Sequence, residues 1–190
     1  MKNLLDALTN YEANTQSKSQ RDVVRQFRDF IAVGTVCANR TFLPGHLTGS
    51  ALVATQDLSC VLLTLHRKLN RWLQLGGHAD GSTDLLSVAM REAREESGLT
   101  ELNFAFPEIF DLDIHWIPEG KDPGHYHYDV RYLLTTPTPE KIMISDESHE
   151  LRWFTLHEAY DFTYEAGMHR LFDKVREPPR PRIVKPYPPS

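Results

Sequence analysis

The chain has 190 residues, of which 41% are hydrophobic, 25% charged and 10% aromatic. That is enough material for one domain with a real core and no need of disulfide staples. With 21 Lys+Arg against 26 Asp+Glu the net charge is −5, which excludes a basic nucleic-acid sheath. Leu4, Leu5, Leu8 and Tyr11 recur at helical spacing, as do Val23, Val24, Phe27, Phe30 and Ile31. Residues 1–33 are therefore expected to form two helices, the second capped by Ser17 or Ser19. Asp6 interrupts the place where a signal peptide would be apolar, and no apolar run approaches the ~20 residues of a membrane helix. A cytoplasmic protein with no membrane partner is expected. Cys37 and Cys60 lie in apolar stretches and read as buried thiols.

Arg40–Gly49, with Pro44, Gly45 and Gly49, reads as a loop. Ser50–Thr55 and Cys60–His66 form a hairpin, and Trp72–Leu75 a short strand that stops at Gly76-Gly77. Thr83–Ser97 is helical and is stopped by Gly98. Phe104–Ile117 and His125–Thr135 are extended and joined through a Pro118–Gly124 turn. A short strand over Ile142–Ile144 and a longer one over Glu150–Thr155 follow, then helices over Leu156–Tyr160 and Ala166–Lys174. The proline-rich tail, 177–190, can form neither helix nor central strand. It is expected to pack on its own domain or on a second subunit. The class is α+β: a mixed sheet with helices on its faces.

Glu92, Glu95 and Glu96 stand at i, i+3 and i+4, so three carboxylates share one helical face opposite an apolar one. Like charges so placed repel unless a cation lies among them, and carboxylate oxygens favour a hard divalent ion. The plainer alternative is a solvated charged face. The flanks decide between them: Gly77, Arg91, Glu92, Ala93, Glu95, Glu96, Gly98 and Leu99 fall in the register of the Nudix box, which this stretch resembles. Thr83 departs from it, standing where the pattern has its first Glu, and Asp84 is the nearest substitute.

The resemblance implies the Nudix α/β/α sandwich as one domain over 1–176, and divalent-metal hydrolysis of a nucleoside diphosphate linked to another moiety. It implies that Glu92, Glu95 and Glu96 hold Mg²⁺ or Mn²⁺, that Arg91 fixes the glutamates, and that backbone around Gly76, Gly77 and His78 completes the metal and phosphate site. Glu147, in an acidic loop before Glu150-Leu-Arg-Trp-Phe, is the expected distal ligand or general base, with Glu150 second. Two other readings share the fold. A nucleotide-binding or regulatory module without catalysis would be favoured by lost glutamates, and none is lost. An isomerase would need a cysteine motif that neither Cys37 nor Cys60 matches. A homodimer is compatible with this reading.

The chain has nine histidines. His125, His127, Asp129 and Arg131 alternate on one strand face, with Asp113 and His115 on the preceding strand, while Tyr126, Tyr128, Val130 and Tyr132 face the core. A polar patch results, suited to phosphate or a nucleobase, or simply a half-solvated sheet face. His-x-His without a third spaced ligand does not by itself read as a zinc site. Trp72, Trp116, Tyr126, Phe42 and His46 are candidate base stackers.

Overall fold

The N-terminal apolar spacing folds as two helices, α1 (Lys2–Asn14) and α2 (Lys18–Ile31). Leu4, Leu8 and Tyr11 are buried from α1, and Val24, Phe27 and Ile31 from α2. Ser17 caps α2, its hydroxyl accepting from the Gln20 N–H at 3.3 Å. Phe30 stacks on Tyr128 with ring centroids 3.7 Å apart, which fixes α2 over one face of the sheet. The computed structural model describes residues 1–120, 122–146 and 148–177. Glu147 and residues 178–190, with the expected packing of the tail, lie outside the described residues.

The strands are β1 (Gly45–Thr55), β2 (Cys60–His66), β3 (Arg71–Leu73), β4 (Leu75–His78), β5 (Asn103–Phe104), β6 (Asp111–Ile117), β7 (His125–Thr136) and β8 (Ser148–Thr155). They join in one mixed sheet. β1 runs parallel to β7 along its whole length, from Gly45 opposite Tyr126 to Thr55 opposite Thr136. It is antiparallel to β2 and β4. β5 and β6 pair antiparallel with β7, and β3 and β8 with β2.

Side-chain alternation on these strands separates two cores. Leu47, Ala51, Val53, Val130 and Tyr132 pack with α1, α2 and α3 (Leu85–Ser97). Leu52, Ala54, Val61, Leu63, Leu133 and Phe154 pack with α4 (Leu156–Phe162) and α5 (Ala166–Arg176). The result is an α/β/α sandwich. Among the described residues no helix is long and apolar enough to cross a membrane.

Several boundaries differ from expectation for identifiable reasons. β1 begins at Gly45, inside the expected Arg40–Gly49 loop. A Cβ on Gly45 would stand 2.4 Å from the Tyr126 carbonyl oxygen, and one on Gly49 2.8 Å from that of Leu85 in α3. These glycines mark close approach of backbones, not turns. Trp72–Leu75 is split between β3 and β4, and Gly76-Gly77 lies within β4 rather than ending it. Phe104–Ile117 is broken into β5 and β6. Residues 142–144 form no strand; the Met143 N–H donates to the Ser97 carbonyl at 2.7 Å, docking this segment on the end of α3. Cys37 is buried, whereas Cys60 is only half-buried.

Candidate active site

Asp84, not Thr83, begins the acidic helix. Its carboxylate caps α3 by accepting from the Ser87 N–H at 3.2 Å and the Ser87 hydroxyl at 2.6 Å. Asp84 is thus committed to the cap and does not substitute for the missing Glu. Thr83 instead accepts a hydrogen bond from the Met1 ammonium at 3.1 Å. Gly98, with φ of 69°, closes the helix in the left-handed conformation that favours glycine.

Of the three glutamates of α3, two meet β4 and the third faces outward. Glu96 is 6% exposed, and its Oε1 accepts from the Gly76 N–H at 2.9 Å. Glu92 lies against Gly77, where an added Cβ would stand 2.6 Å from the carboxyl carbon and 2.7 Å from each oxygen. Glu95 is the exposed member. Arg91 ties Glu92 and Glu95 together: one terminal nitrogen contacts Glu92 at 2.9 Å and Glu95 at 3.4 Å, and the other donates to the His78 carbonyl at 3.4 Å. Arg91 is therefore oriented without the first box glutamate. The helix offers an all-carboxylate donor set, and the bare Gly77 leaves a cradle that a side chain would fill. Both features fit a hard divalent cation. Glu150 is an exposed residue of β8, opposite Leu65 of β2.

Because Gly49 faces α3, its neighbours His46, Thr48 and Ser50 point to the other side of the sheet. There they meet β7 and β6, and the polar face expected to be half-solvated is instead buried. Asp111, Asp129 and Arg131 are 0%, 2% and 4% exposed. Arg131 donates to Asp129 at 2.7 Å and Asp113 at 3.0 Å, while Asp129 also accepts from Thr48 and Ser50. α5 supplies the remaining countercharge, with Arg170 on Asp111 and Asp113 at 2.8 Å and Lys174 on Asp111 at 2.6 Å. Burial pushes the Asp113 carboxyl up, but the His115 hydrogen bond, the Arg131 charge and the Arg170 hydrogen bond hold it well below the usual carboxylate range. With every charge engaged inside the protein, Arg131 is not available as a phosphate ligand.

Toward the N-terminal ends of β1 and β7 this face becomes a cluster of imidazoles. His46 is the direct register partner of His127, and His115 of β6 pairs with His127 from the other side. His125 Nε2 and His127 Nε2 are 3.2 Å apart. The His46 ring lies 4.7 Å from that of His125, 4.9 Å from that of His127 and 5.0 Å from that of His78. Burial, with the charges His78 and His125 would carry, pushes His46 down to about 4. His127 and His78 are lowered chiefly by burial as well. His46 was expected to be a base stacker, but it is 1% exposed. Trp116 and Tyr126 do stand exposed as a T-shaped pair with centroids 4.9 Å apart, so Tyr126 is not the core residue expected. Trp72 packs instead on Phe154.

The NUDIX domain profile matches residues 46–175. The asymmetrical bis(5'-nucleosyl)-tetraphosphatase of mouse is 28% identical over 123 residues, covering 57% of this chain and 74% of that protein. A Caenorhabditis elegans Ap4A hydrolase in a binary complex superposes with a TM-score of 0.57 at 18% identity, covering 69% of this chain and 95% of that one. A NUDIX family hydrolase of Clostridium perfringens gives 0.54 at 25% identity, covering 70% and 97%. The chain belongs to the Nudix family and is a hydrolase of that family.

Proposed function

We propose that the protein is a divalent-metal-dependent pyrophosphohydrolase of nucleoside diphosphates linked to another moiety. The observation that carries this reading is the fit of β4 to α3: the Gly76 N–H holds Glu96, and Gly77 leaves room for the Glu92 carboxylate. Glu92, Glu95 and Glu96 would hold Mg²⁺ or Mn²⁺, with Glu147, which precedes β8 in the sequence, as a further ligand or as general base. A bound ion would supply charge neutralisation at the diphosphate oxygens and acidify a water. Arg91 fixes Glu92 and Glu95 relative to the His78 backbone, so the carboxylates are aimed before substrate arrives. Water attacks one phosphorus of the P–O–P bridge, its proton passes to the base, and the bridging oxygen leaves with the other phosphate. The name of the matched mouse enzyme makes a dinucleoside tetraphosphate the first substrate to assay.

The test is phosphate-product analysis over a panel of dinucleoside polyphosphates, nucleotide sugars, ADP-ribose and nucleoside triphosphates, with Mg²⁺ and with chelator. Glu96→Gln keeps size and removes one ligand charge; it is expected to lower turnover by a factor of about 10² or more. Cleavage that persists in chelator, or near-normal turnover and Mg²⁺ dependence in Glu96→Gln, overturns the proposal. Nucleotide binding without cleavage across the panel would assign the chain to the non-catalytic reading.

A further inference from the structure

We propose that His46, His125 and His127 form a binding site for Zn²⁺, separate from the carboxylates of α3. One potential ligand atom from each of the three rings lies within 4.8 Å of the other two. Zinc with nitrogen ligands at about 2.0–2.1 Å places tetrahedral donors about 3.3 Å apart. The His125–His127 pair, at 3.2 Å, already has that spacing. His46, directly across the parallel ladder from His127, supplies the third ligand once its donor atom, within 4.8 Å of the other two, closes to that spacing.

Two observations separate this cluster from ordinary core histidines. Both ring nitrogens of His46 are buried and meet no partner with full hydrogen-bond geometry among the described residues, although the Phe42 backbone is near enough to favour the charged ring. A buried imidazole normally satisfies at least one nitrogen, so one that satisfies neither points to a missing partner. His125 shows the complementary arrangement. Its Nδ1 is 2.7 Å from the Pro123 carbonyl oxygen, which fixes Nδ1 as the N–H and leaves the Nε2 lone pair facing His127. A backbone carbonyl behind the ring is the usual outer partner of a metal-ligating histidine.

The chemistry of the pocket selects its occupant. Buried, mutually repelling imidazoles favour the neutral form, which coordinates metal and does not attract phosphate. Nitrogen donors favour zinc over the Mg²⁺ suited to the α3 glutamates. The nearest charges are engaged elsewhere: Asp113 with Arg131, Arg170 and His115, and Arg40 with Asp80. Three imidazoles leave a fourth tetrahedral position open, and the His78 ring lies 5.2 Å from that of His127. The two sites lie on opposite faces of the sheet, with β4 between them.

The test uses the full chain carrying Glu92→Gln and Glu96→Gln, which weakens the α3 site, stripped with chelator and titrated with Co²⁺ and then Zn²⁺. One Co²⁺ per chain with intense tetrahedral visible bands, displaced by one Zn²⁺, is expected. His127→Gln and His46→Phe on that background should abolish the bands and weaken Zn²⁺ binding roughly a hundredfold or more, beyond the loss of an outer partner. Zn²⁺ should also raise the thermal midpoint of the otherwise wild-type chain in a concentration-dependent way. Absent bands, weak octahedral-type bands, bands that survive in folded His127→Gln, or an unshifted midpoint would each overturn the proposal. If the histidine variants do not fold, the cobalt spectrum and the zinc-dependent midpoint of the parent chains decide alone.

Discussion

Gly77→Ala separates the requirements of the fold from those of the site. The new methyl group would stand 2.7 Å from both oxygens of Glu92 and 2.6 Å from its carboxyl carbon. Ordinary contact needs about 3.4 Å or more, so the carboxylate must retreat by roughly 0.7 Å. The obstacle is the free end of a side chain, so the backbone can stay in place and the stability cost should remain near 1 kcal/mol. The site has less tolerance, since ligands must be held to about 0.5 Å, and a 1 Å misplacement costs on the order of 10² in rate. Turnover of the best panel substrate should therefore fall roughly 10- to 100-fold, with the Mg²⁺ requirement shifted upward. Gly76→Ala is the contrast, because its Cβ would fall 2.2 Å from Ser50 Cβ and 2.6 Å from Ser50 Cα, where backbone cannot yield. It should lower the thermal midpoint strongly as well as the activity. The assays are steady-state phosphate release over a Mg²⁺ series and thermal unfolding. Turnover of Gly77→Ala within threefold of wild type would refute the assigned role of the Gly77–Glu92 contact.

Thr83→Glu should leave turnover within threefold of wild type, because Arg91 is already held by Glu92, Glu95 and the His78 carbonyl; a clear gain in kcat would show otherwise. Glu147→Gln should lower kcat strongly with KM changed only a few-fold, and Glu150→Gln, on strand β8, should do less; the reverse order moves the base elsewhere. Acid should destabilise the β6–β7 network. The folded Asp113 carboxyl titrates below its unfolded value, so its contribution is complete above the ordinary carboxylate pKa and is lost as pH falls from there through the lower folded value. Thermal midpoints measured from about pH 7 to about pH 2 should show this loss only below about pH 4, and Asp113→Asn should flatten the decline there.

The local parts of this molecule are legible in its sequence. The apolar spacing of α1 and α2, the Ser17 cap, the β1–β2 hairpin and the Gly98 stop all rest on interactions within a few residues. The glutamates of α3 were legible both as a shared face and through the box. What escapes is set by partners far along the chain. Gly45 and Gly49 look like turn residues until the parallel β7 and the start of α3 come against them, because glycine serves both purposes. His46 looks like an isolated ring until that same ladder sets it opposite His127. The alternation of Asp113, Asp129 and Arg131 correctly predicts a shared face. It does not predict burial, because the covering charges, Arg170 and Lys174, arrive from α5. Their i, i+4 spacing, which puts both on one face of α5, was the available clue.

The parallel pairing of β1 with β7 has a consequence for the order of assembly. Thr48 and Asp129, hydrogen-bonded across it, are separated by 81 residues. During synthesis the N-terminal helices and the β1–β2 hairpin can form early, but one edge of β1 must wait until β7 has left the ribosome. At about 5–20 residues per second that interval is several seconds or more, during which an apolar strand edge is exposed. The loop closure needed to form the pair also belongs to the slow class of non-local contacts. Nascent chains stalled between β2 and β7 should therefore be the species most prone to aggregate or to recruit a chaperone.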